Sequence, residues 1–162
     1  MKLRVHLSGY DKLLRRFDRT DDRVEEALSE GTEQAAEHLL ECIEGKFGVY
    51  QQSGGRSNGP WEKLKYDTIV RKRKKGNNAN ATKPLVDYGD MMFSFEYQTS
   101  NKTRKHSVAI ISNDDKILYH IYGMRTRTRG VPRRDPVRPT IEEERQECFD
   151  IVVDAVRRAI NQ

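Results

Sequence analysis

The sequence predicts an α+β fold in which a long N-terminal helix and a C-terminal helix pack on a small antiparallel β-sheet, with long mobile loops. Three observations support this prediction. Two amphipathic stretches repeat apolar residues every three or four positions, at 24–47 and 148–160. Between them, short segments rich in β-branched and aromatic residues are separated by polar turns. The length of 162 residues fits one domain, so we predict a single domain over 1–162.

The N-terminal part of the chain predicts one short strand and two helices. Alternation over 2–8 predicts the strand, and apolar residues at helical spacing over 10–17 predict a first helix. A second, longer helix follows an N-cap at Asp21 or Asp22, and Gly45 and Gly48 mark its end. Its expected buried stripe consists of Val24, Leu28, Gly31, Ala35, Leu39, Ile43 and Phe47.

Two segments of the middle region are expected to be flexible loops. Residues 50–59 are polar and glycine-rich, and residues 71–82 join a basic run to a Gly-Asn-rich stretch without periodicity. A short ordered piece between them, 60–70, holds the only tryptophan, Trp61. We expect residues 71–82 to be mobile in an isolated subunit.

The sequence takes on β character after Pro84. Alternation over 91–97 predicts a strand with Phe93, Phe95 and Tyr97 on one face, and residues 98–104 predict a polar turn. Residues 106–112 predict a second strand with β-branched content. Residues 117–122 fit either a third strand or a short helix. Short turns between sequential segments favour an antiparallel meander.

The last part of the chain predicts an irregular arm followed by a helix. The arm, 123–139, is rich in arginine and cannot form a regular helix because its prolines lack the amide donor. Thr140 and Glu143 have the spacing of a capping box, so we expect the helix to begin there. Its apolar stripe consists of Cys148, Phe149, Val152, Val153, Val156, Ala159 and Ile160.

The composition indicates a charged protein with a thin core. Hydrophobic residues make up 35% of the chain and charged residues 34%. We expect neither a membrane span nor a signal peptide, because apolar runs are short and the N-terminus alternates. The net charge is +5, but residues 71–75 and 125–138 together carry +10, which leaves −5 on the remainder. Such an acidic body with two basic segments suits a phosphate backbone or an acidic protein surface as partner.

Motifs that carry catalysis are lacking in the sequence. The four histidines are not in metal-binding spacing, and there is no nucleophile elbow, phosphate-binding loop or dinucleotide fingerprint. Cys42 and Cys148 are isolated thiols, compatible with a reducing compartment. We therefore predict no enzyme, no catalytic residue, no cofactor and no metal site. The enzymatic alternative is a metal-dependent nuclease that uses Asp87, Asp90 and Glu96.

The basic segments leave two kinds of partner open. Arginine and lysine neutralise DNA phosphates, which favours a small nucleic-acid-binding module, yet the sequence contains no helix-turn-helix, zinc finger or RNP-type strand. Alternatively, the glutamate-rich side of the long helix and the basic arm suit head-to-tail assembly of subunits. The candidate interface residues are Trp61, Arg71, Lys72, Arg73, Lys74, Lys75, Arg125, Arg127, Arg129, Arg133, Arg134 and Arg138.

Short motifs in a fixed order resemble a family of tailed-phage proteins. The first is Pro60-Trp61-Glu62-Lys63-Leu64, which is followed by the basic run and then by a segment from Lys83 to Ser94 that begins Lys-Pro-Leu. The last motif joins 119–123 to 131–136 ahead of the terminal helix. The family has W-x-x-L, P-L-x-x-[ST]-G-x-L-x-x-S and H-x-x-G … [IV]-P-x-R segments in this order. The chain resembles the phage virion morphogenesis or tail completion group, which includes the G protein of phage Mu.

The resemblance implies a structural, non-enzymatic protein of the head–tail junction. Such proteins form a ring, often of six subunits, that joins the tail tube to the head connector. The implied partners are further copies, the tail tube or terminator protein and the head connector, with non-specific contact to DNA in the lumen and no membrane. The implied location is the virion, after assembly in the host cytoplasm. Trp61, beside a loop expected to be mobile, is either a core plug or an interface anchor.

Overall fold

The computed structural model describes residues 2–5, 22–52, 59–102, 105–125 and 130–161. In chain order, the elements are β1 (Lys2–Val5), α1 (Asp22–Gly45), α2 (Tyr66–Lys74), β2 (Phe95–Lys102), β3 (Lys105–Ser112), α3 (Lys116–Tyr122), β4 (Met124–Arg125), β5 (Gly130–Val131) and α4 (Arg138–Ile160). Within the described ranges, four helices and a small antiparallel sheet confirm the α+β class. The chain divides into two compact units, and the single-domain expectation stays a prediction.

The first unit comprises described residues of 1–40, 96–111 and 144–162. Its sheet has the strand order β1-β3-β2, and β1 runs antiparallel to β3 with Leu3 opposite Ile110. Helix α4 packs on α1 at Gly31, where an added Cβ would lie 2.9 Å from the Cβ of Ala155. The missing side chain of Gly31 therefore allows the two helices to approach closely. The Tyr97 hydroxyl of β2 donates to Glu37 of α1 at 3.0 Å.

The second unit comprises described residues of 41–95 and 112–143. Phe47 and Phe95 meet edge to face, with ring centroids 5.8 Å apart. The buried hydrophobic residues of this unit are Ile43, Phe47, Trp61, Ala81, Leu85, Phe95, Ile117, Ile121 and Val137. A small apolar core therefore supports many turns and three short elements: α2, α3 and the β4–β5 ladder.

The helix α1 agrees with the sequence-based expectation. It begins at Asp22 and ends at Gly45, and every residue of the predicted apolar stripe is buried. Strong periodicity of 3.6 residues, an acidic N-terminus and a terminal glycine all point the same way here, which is why the prediction succeeds. The predicted helix over 10–17 and most of the predicted loop over 50–59 lie outside the described residues.

The strand boundaries differ from the prediction on one side of the hairpin. The predicted strand over 106–112 is confirmed by β3. Strand β2 spans Phe95–Lys102, so the predicted polar turn is wrong for 98–102, and 103–104 lie outside the described residues. A strand with one solvated face needs no apolar residues there, and its backbone bonds to β3 hold it regardless of side-chain polarity. Phe93 lies before the strand and is 71% exposed, so it does not share a buried face with Phe95. The segment 117–122 is the helix α3, the second of the two alternatives.

The start of α4 differs from the predicted capping box. The helix begins at Arg138, and the Asp135 Oδ1 accepts from the amides of Val137 (3.0 Å) and Arg138 (3.2 Å). The Thr140 hydroxyl instead donates to the Pro136 carbonyl at 2.8 Å. Asp135 is thus the N-cap, and Pro136 follows it at the first helical position, where the missing amide donor of proline costs nothing. The buried stripe is also narrower than predicted, since Phe149 and Ile160 are 43% and 48% exposed.

Candidate functional site

Most of the basic run of the second unit is helical. Arg71 to Lys74 form the second half of α2, and the turns after it are closed by backbone bonds such as that from the Ala81 amide to the Asn78 carbonyl. The expectation of a loop is therefore wrong for the residues from Arg71 to Lys74, whereas the mobility expected of 71–82 stays a prediction. Periodicity gave no signal because the inward-facing position of this turn is Lys72, which is 9% exposed, rather than an apolar residue.

The Lys72 ammonium ties α2 to the loop that follows it. Nζ donates to the carbonyls of Lys83 (2.8 Å), Asn80 (3.2 Å) and Val86. Burial lowers the pKa of Lys72, and the nearby Arg134 adds to this effect, whereas Asp87 opposes it. Lys72 is therefore an internal tether, and its charge is directed at backbone carbonyls rather than at an interface.

Arg134 is a second buried cation and is 4% exposed. Its Nη2 and Nε donate to the Glu62 carbonyl at 2.7 and 3.2 Å, and its backbone amide donates to the His120 carbonyl at 2.8 Å. Burial lowers the pKa of Arg134. This arginine joins the Trp61 segment, α3 and the proline-rich arm at one point, so it too is a structural residue and not a free surface charge.

Asp87 is held by its own neighbours. Its Oδ1 accepts from the Asn77 amide at 2.9 Å, its carbonyl accepts from Asn77 and Asn80, and its Oδ2 lies 4.0 Å from the Lys75 ammonium. Asp90 is exposed. A carboxylate already bonded to an amide and facing an ammonium is a poor starting point for the predicted nuclease alternative.

These segments enclose a cleft of about 1100 Å³ in the second unit. Its walls include Leu64, Arg71, Asp87, Lys116 and His120. The Nδ1 of His120 is buried and has no hydrogen-bond partner among the described residues. Burial, with a further contribution from Arg134, lowers the pKa of His120 to about 4, although Asp114 opposes the change. The imidazole is therefore neutral near pH 7.

The remaining predicted interface residues divide into exposed, internally engaged and undescribed ones. Arg71, Arg73, Lys74 and Lys75 are exposed around α2. Arg133 and Arg138 are exposed but lie 3.9 and 3.7 Å from the Asp135 carboxylate, and Arg138 also stacks 5.5 Å from the Tyr122 ring centroid. The backbone of Arg125 lies in β4, whereas Arg127 and Arg129 lie outside the described residues.

Trp61 belongs to the core of the second unit. It is 5% exposed, and its backbone amide donates to the Gln51 carbonyl at 3.0 Å. Of the two roles the sequence left open, the structure favours the core plug over the exposed anchor. The sequence could not distinguish these two roles, because a core residue and an interface anchor both use the large apolar surface of tryptophan.

Exposed aromatic side chains are a feature that sequence reasoning missed. In the second unit, these are Tyr66 (75% exposed), Phe93 (71%), Tyr88 (60%), Tyr122 (54%) and Tyr119 (47%). Tyr66 begins α2 and lies on the same side of that helix as Arg73 and Lys74, seven and eight positions later. Tyr66 and the buried Lys72 are about 120° apart around the helix axis, so a helical wheel of this segment places the tyrosine away from the buried side.

Comparisons with known proteins give no relative: no family model, no curated protein and no solved structure matches the chain. In the part of the chain that the structure describes, no helix has both the length and the apolar character needed to cross a membrane.

Proposed function

We propose that the chain is a structural virion protein of a tailed phage, which forms an oligomeric ring at the head–tail junction and joins the tail tube to the head connector. Its partners would be further copies of itself, the tail tube or terminator protein and the connector, and it would act in the virion after assembly in the host cytoplasm. The six-subunit ring is carried over from the family resemblance.

One observation carries the proposal. The motif segments on which the resemblance rests lie far apart in the sequence but belong to one compact unit. Lys72 binds the segment that begins Lys83-Pro84-Leu85, and Arg134 binds the Trp61 segment and α3. Contacts between the motif segments support the proposal, because they give the motif residues a structural role within one unit, as the resemblance implies.

The arrangement also favours a structural role over catalysis. The buried cations Lys72 and Arg134 both donate to backbone carbonyls of their own chain. Asp87 is bonded to Asn77. A catalytic group must have a donor or acceptor atom available to a substrate in the cleft. The hydrogen bonds of these three groups are instead made to loops of their own chain. A thin core with many loop tethers and exposed aromatic residues is typical of a subunit that gains stability from neighbours.

Deletion of the gene from the phage that encodes it tests the proposal. We expect filled heads and separate tails in electron micrographs of the lysate, and joined particles once the gene is supplied in trans. Labelled protein should be found at the junction of complete virions. Joined, infectious particles without the protein would exclude this function.

A nucleic-acid-binding module is the second candidate, and the exposed cations of α2 favour it. Arg71, Arg73 and Lys74 lie on a short helix with the exposed Tyr66, an arrangement that suits phosphate contacts. Duplex binding at 50 mM salt that weakens about 40-fold at 200 mM, as three phosphate contacts would give, and that is lost when these cations are replaced, would support it.

A further inference from the structure

The outward side of α2 has the composition of a protein interface. Tyr66 is 75% exposed, and Arg73 and Lys74 are exposed beside it on the same side of the helix. Tyrosine and arginine are enriched among the residues that contribute most of the binding energy at protein interfaces. The apolar ring of Tyr66 is left in water here, and it would lose contact with water if a partner covered it. This surface, called the α2 surface below, therefore suits an occupant with acidic groups and an apolar recess.

A groove in the first unit provides such a recess. It lies between α1 and α4, and its volume of about 470 Å³ exceeds that of a single aromatic side chain. Small side chains, Ala27, Ala155 and Ala159, line it, and Glu26 and Glu30 form one rim. The groove is also lined by Gln34, Arg23 and Arg158. Arginine beside a tyrosine ring is attractive through the ring's π face, so these cations do not exclude an aromatic occupant.

A row of glutamates continues from the rim of this groove along α1. Its members are separated by four, three, four, four and three positions, which places them on one side of the helix: Glu26, Glu30, Glu33, Glu37, Glu41 and Glu44. Glu30 accepts from the Gln34 amide, and Glu33 and Glu37 accept from the Tyr97 hydroxyl. These donors are neutral, so the negative charge of the row remains, and like charges at this spacing destabilise a helix.

We propose that the α2 surface of one copy docks on the α1–α4 groove of a second copy. Tyr66 enters the recess between Glu26, Glu30 and the alanines, and Arg73 and Lys74 face Glu33 and Glu37. The spacing matches, because seven positions separate Tyr66 from Arg73 and also separate Glu26 from Glu33, about 10.5 Å along each helix axis. The contact rests on the proposed function, for which it is the assembly step.

Charge complementarity favours a second copy over nucleic acid as the occupant. Helix α1 contains eight carboxylates and one arginine, whereas residues 71–75 are all cationic. The contact uses different surfaces on the two copies and is therefore heterologous, which generates a closed ring when the rotation per subunit is a simple fraction of a turn. A duplex would satisfy Arg73 and Lys74 but would leave the groove and the glutamate row without a role.

Sedimentation of the full chain at about 50 mM salt tests the contact. We expect concentration-dependent association that weakens as salt is raised. R73E/K74E and E33K/E37K, which reverse the charge on either side of the same contact, should each weaken association about tenfold or more. An equal mixture of these two variants should associate again, since each keeps one native surface. R145E/R157E and E142K/E147K carry the same changes of net charge on exposed positions of α4, and they should associate like the wild type.

Uncharged variants test the recess separately. Y66A and A159L, the second of which fills the groove, should each weaken association about tenfold, whereas Y66F keeps the ring and should not. Circular dichroism checks folding, and the exposed charge variants decide the outcome should A159L fail to fold. The proposal is overturned if the wild type stays monomeric at about 200 µM or if the mixture of the two charge variants stays monomeric. It is also overturned if the charge variants associate normally, including the case in which they lose only binding to a DNA duplex.

The contact and the proposed function fail in different ways. If association is absent in vitro but gene deletion still leaves heads and tails unjoined, the function stands and this contact is wrong. If association behaves as described but phage without the gene form normal joined particles, the contact stands and the head–tail role is wrong.

Discussion

Replacing Lys72 by methionine removes the ammonium and keeps an unbranched apolar stem. In the native chain, Nζ donates to the carbonyls of Lys83 (2.8 Å), Asn80 (3.2 Å) and Val86. The K72M substitution therefore leaves three carbonyls of one loop without their donor. It tests directly whether this lysine stabilises the fold, as the geometry indicates, or serves a partner, as the sequence suggested.

The expected cost follows from these three bonds. Each unpaired buried acceptor costs about 1–3 kcal/mol, which gives an upper limit of about 9 kcal/mol for three. Two effects reduce this sum. Lys72 lies on the wall of the cleft, so water can reach part of the vacated space. The buried charge is also removed, and its lost hydration is what lowers the pKa of Lys72. We therefore expect the free energy of unfolding to fall by about 2–4 kcal/mol.

Urea unfolding followed by tryptophan fluorescence measures this change. Trp61 is the sole tryptophan, is 5% exposed and belongs to the same unit as Lys72, so its emission reports the relevant transition. The matched control is K74M, which removes an exposed ammonium two positions away and should change stability by less than about 0.5 kcal/mol. A loss below about 1 kcal/mol for K72M would refute the tether.

Three further outcomes follow from the packing, the helix cap and the buried histidine. Gly31→Ala should destabilise by about 1–3 kcal/mol despite its better helix propensity, because the new Cβ meets the Ala155 Cβ at 2.9 Å; thermal melts that show a gain would contradict this. D135A should lower the free energy of unfolding in urea by about 1–2 kcal/mol, and by more than T140V, since Asp135 caps α4. A larger loss for T140V would instead support the predicted capping box at Thr140. As the pH falls from 6.5 toward 4, the unfolded chain binds a proton that folded His120 does not, so stability should drop by about 3 kcal/mol. H120F should lack this part of the slope, and identical pH profiles of the two proteins would disprove the assignment.

The parts of the fold that the sequence predicted are those where several local signals agree. Helix α1 has a strong apolar repeat, an acidic start and a glycine at its end, and β3 is rich in β-branched residues. The misplaced end of β2 has a physical reason. The polar residues of its second half are held by backbone hydrogen bonds, which do not depend on the side-chain pattern. The cap of α4 was misplaced because Asp135 and Thr140 both fit the sequence rule, and prolines in the first turn decided between them.

The candidate site was predicted in composition but not in arrangement. The basic run was recognised as the most charged part of the middle region, yet its sequence does not show that Lys72 points inward while Arg73 and Lys74 point outward. The partners of Lys72 are backbone carbonyls, which every residue carries, so no side-chain pattern announces them. Tyr66 was overlooked for the same reason, since its exposure follows from the burial of the lysine on the other side of the helix.

The number of cations in a segment therefore overstates the charge that it offers to a partner. Lys72 and Arg134 stabilise loops, and Asp135 lies within 4 Å of both Arg133 and Arg138. Among the described cations of the predicted interface, the outward charge is therefore concentrated around α2. A substitution that covers the whole run, as in a scan that neutralises 71–75, would unfold the loop and remove the surface at the same time, and its phenotype would not distinguish folding from assembly. Separate changes at Lys72 and at Arg73 with Lys74 do distinguish them, because the first should lower the free energy of unfolding without altering the outward surface, and the second should do the opposite.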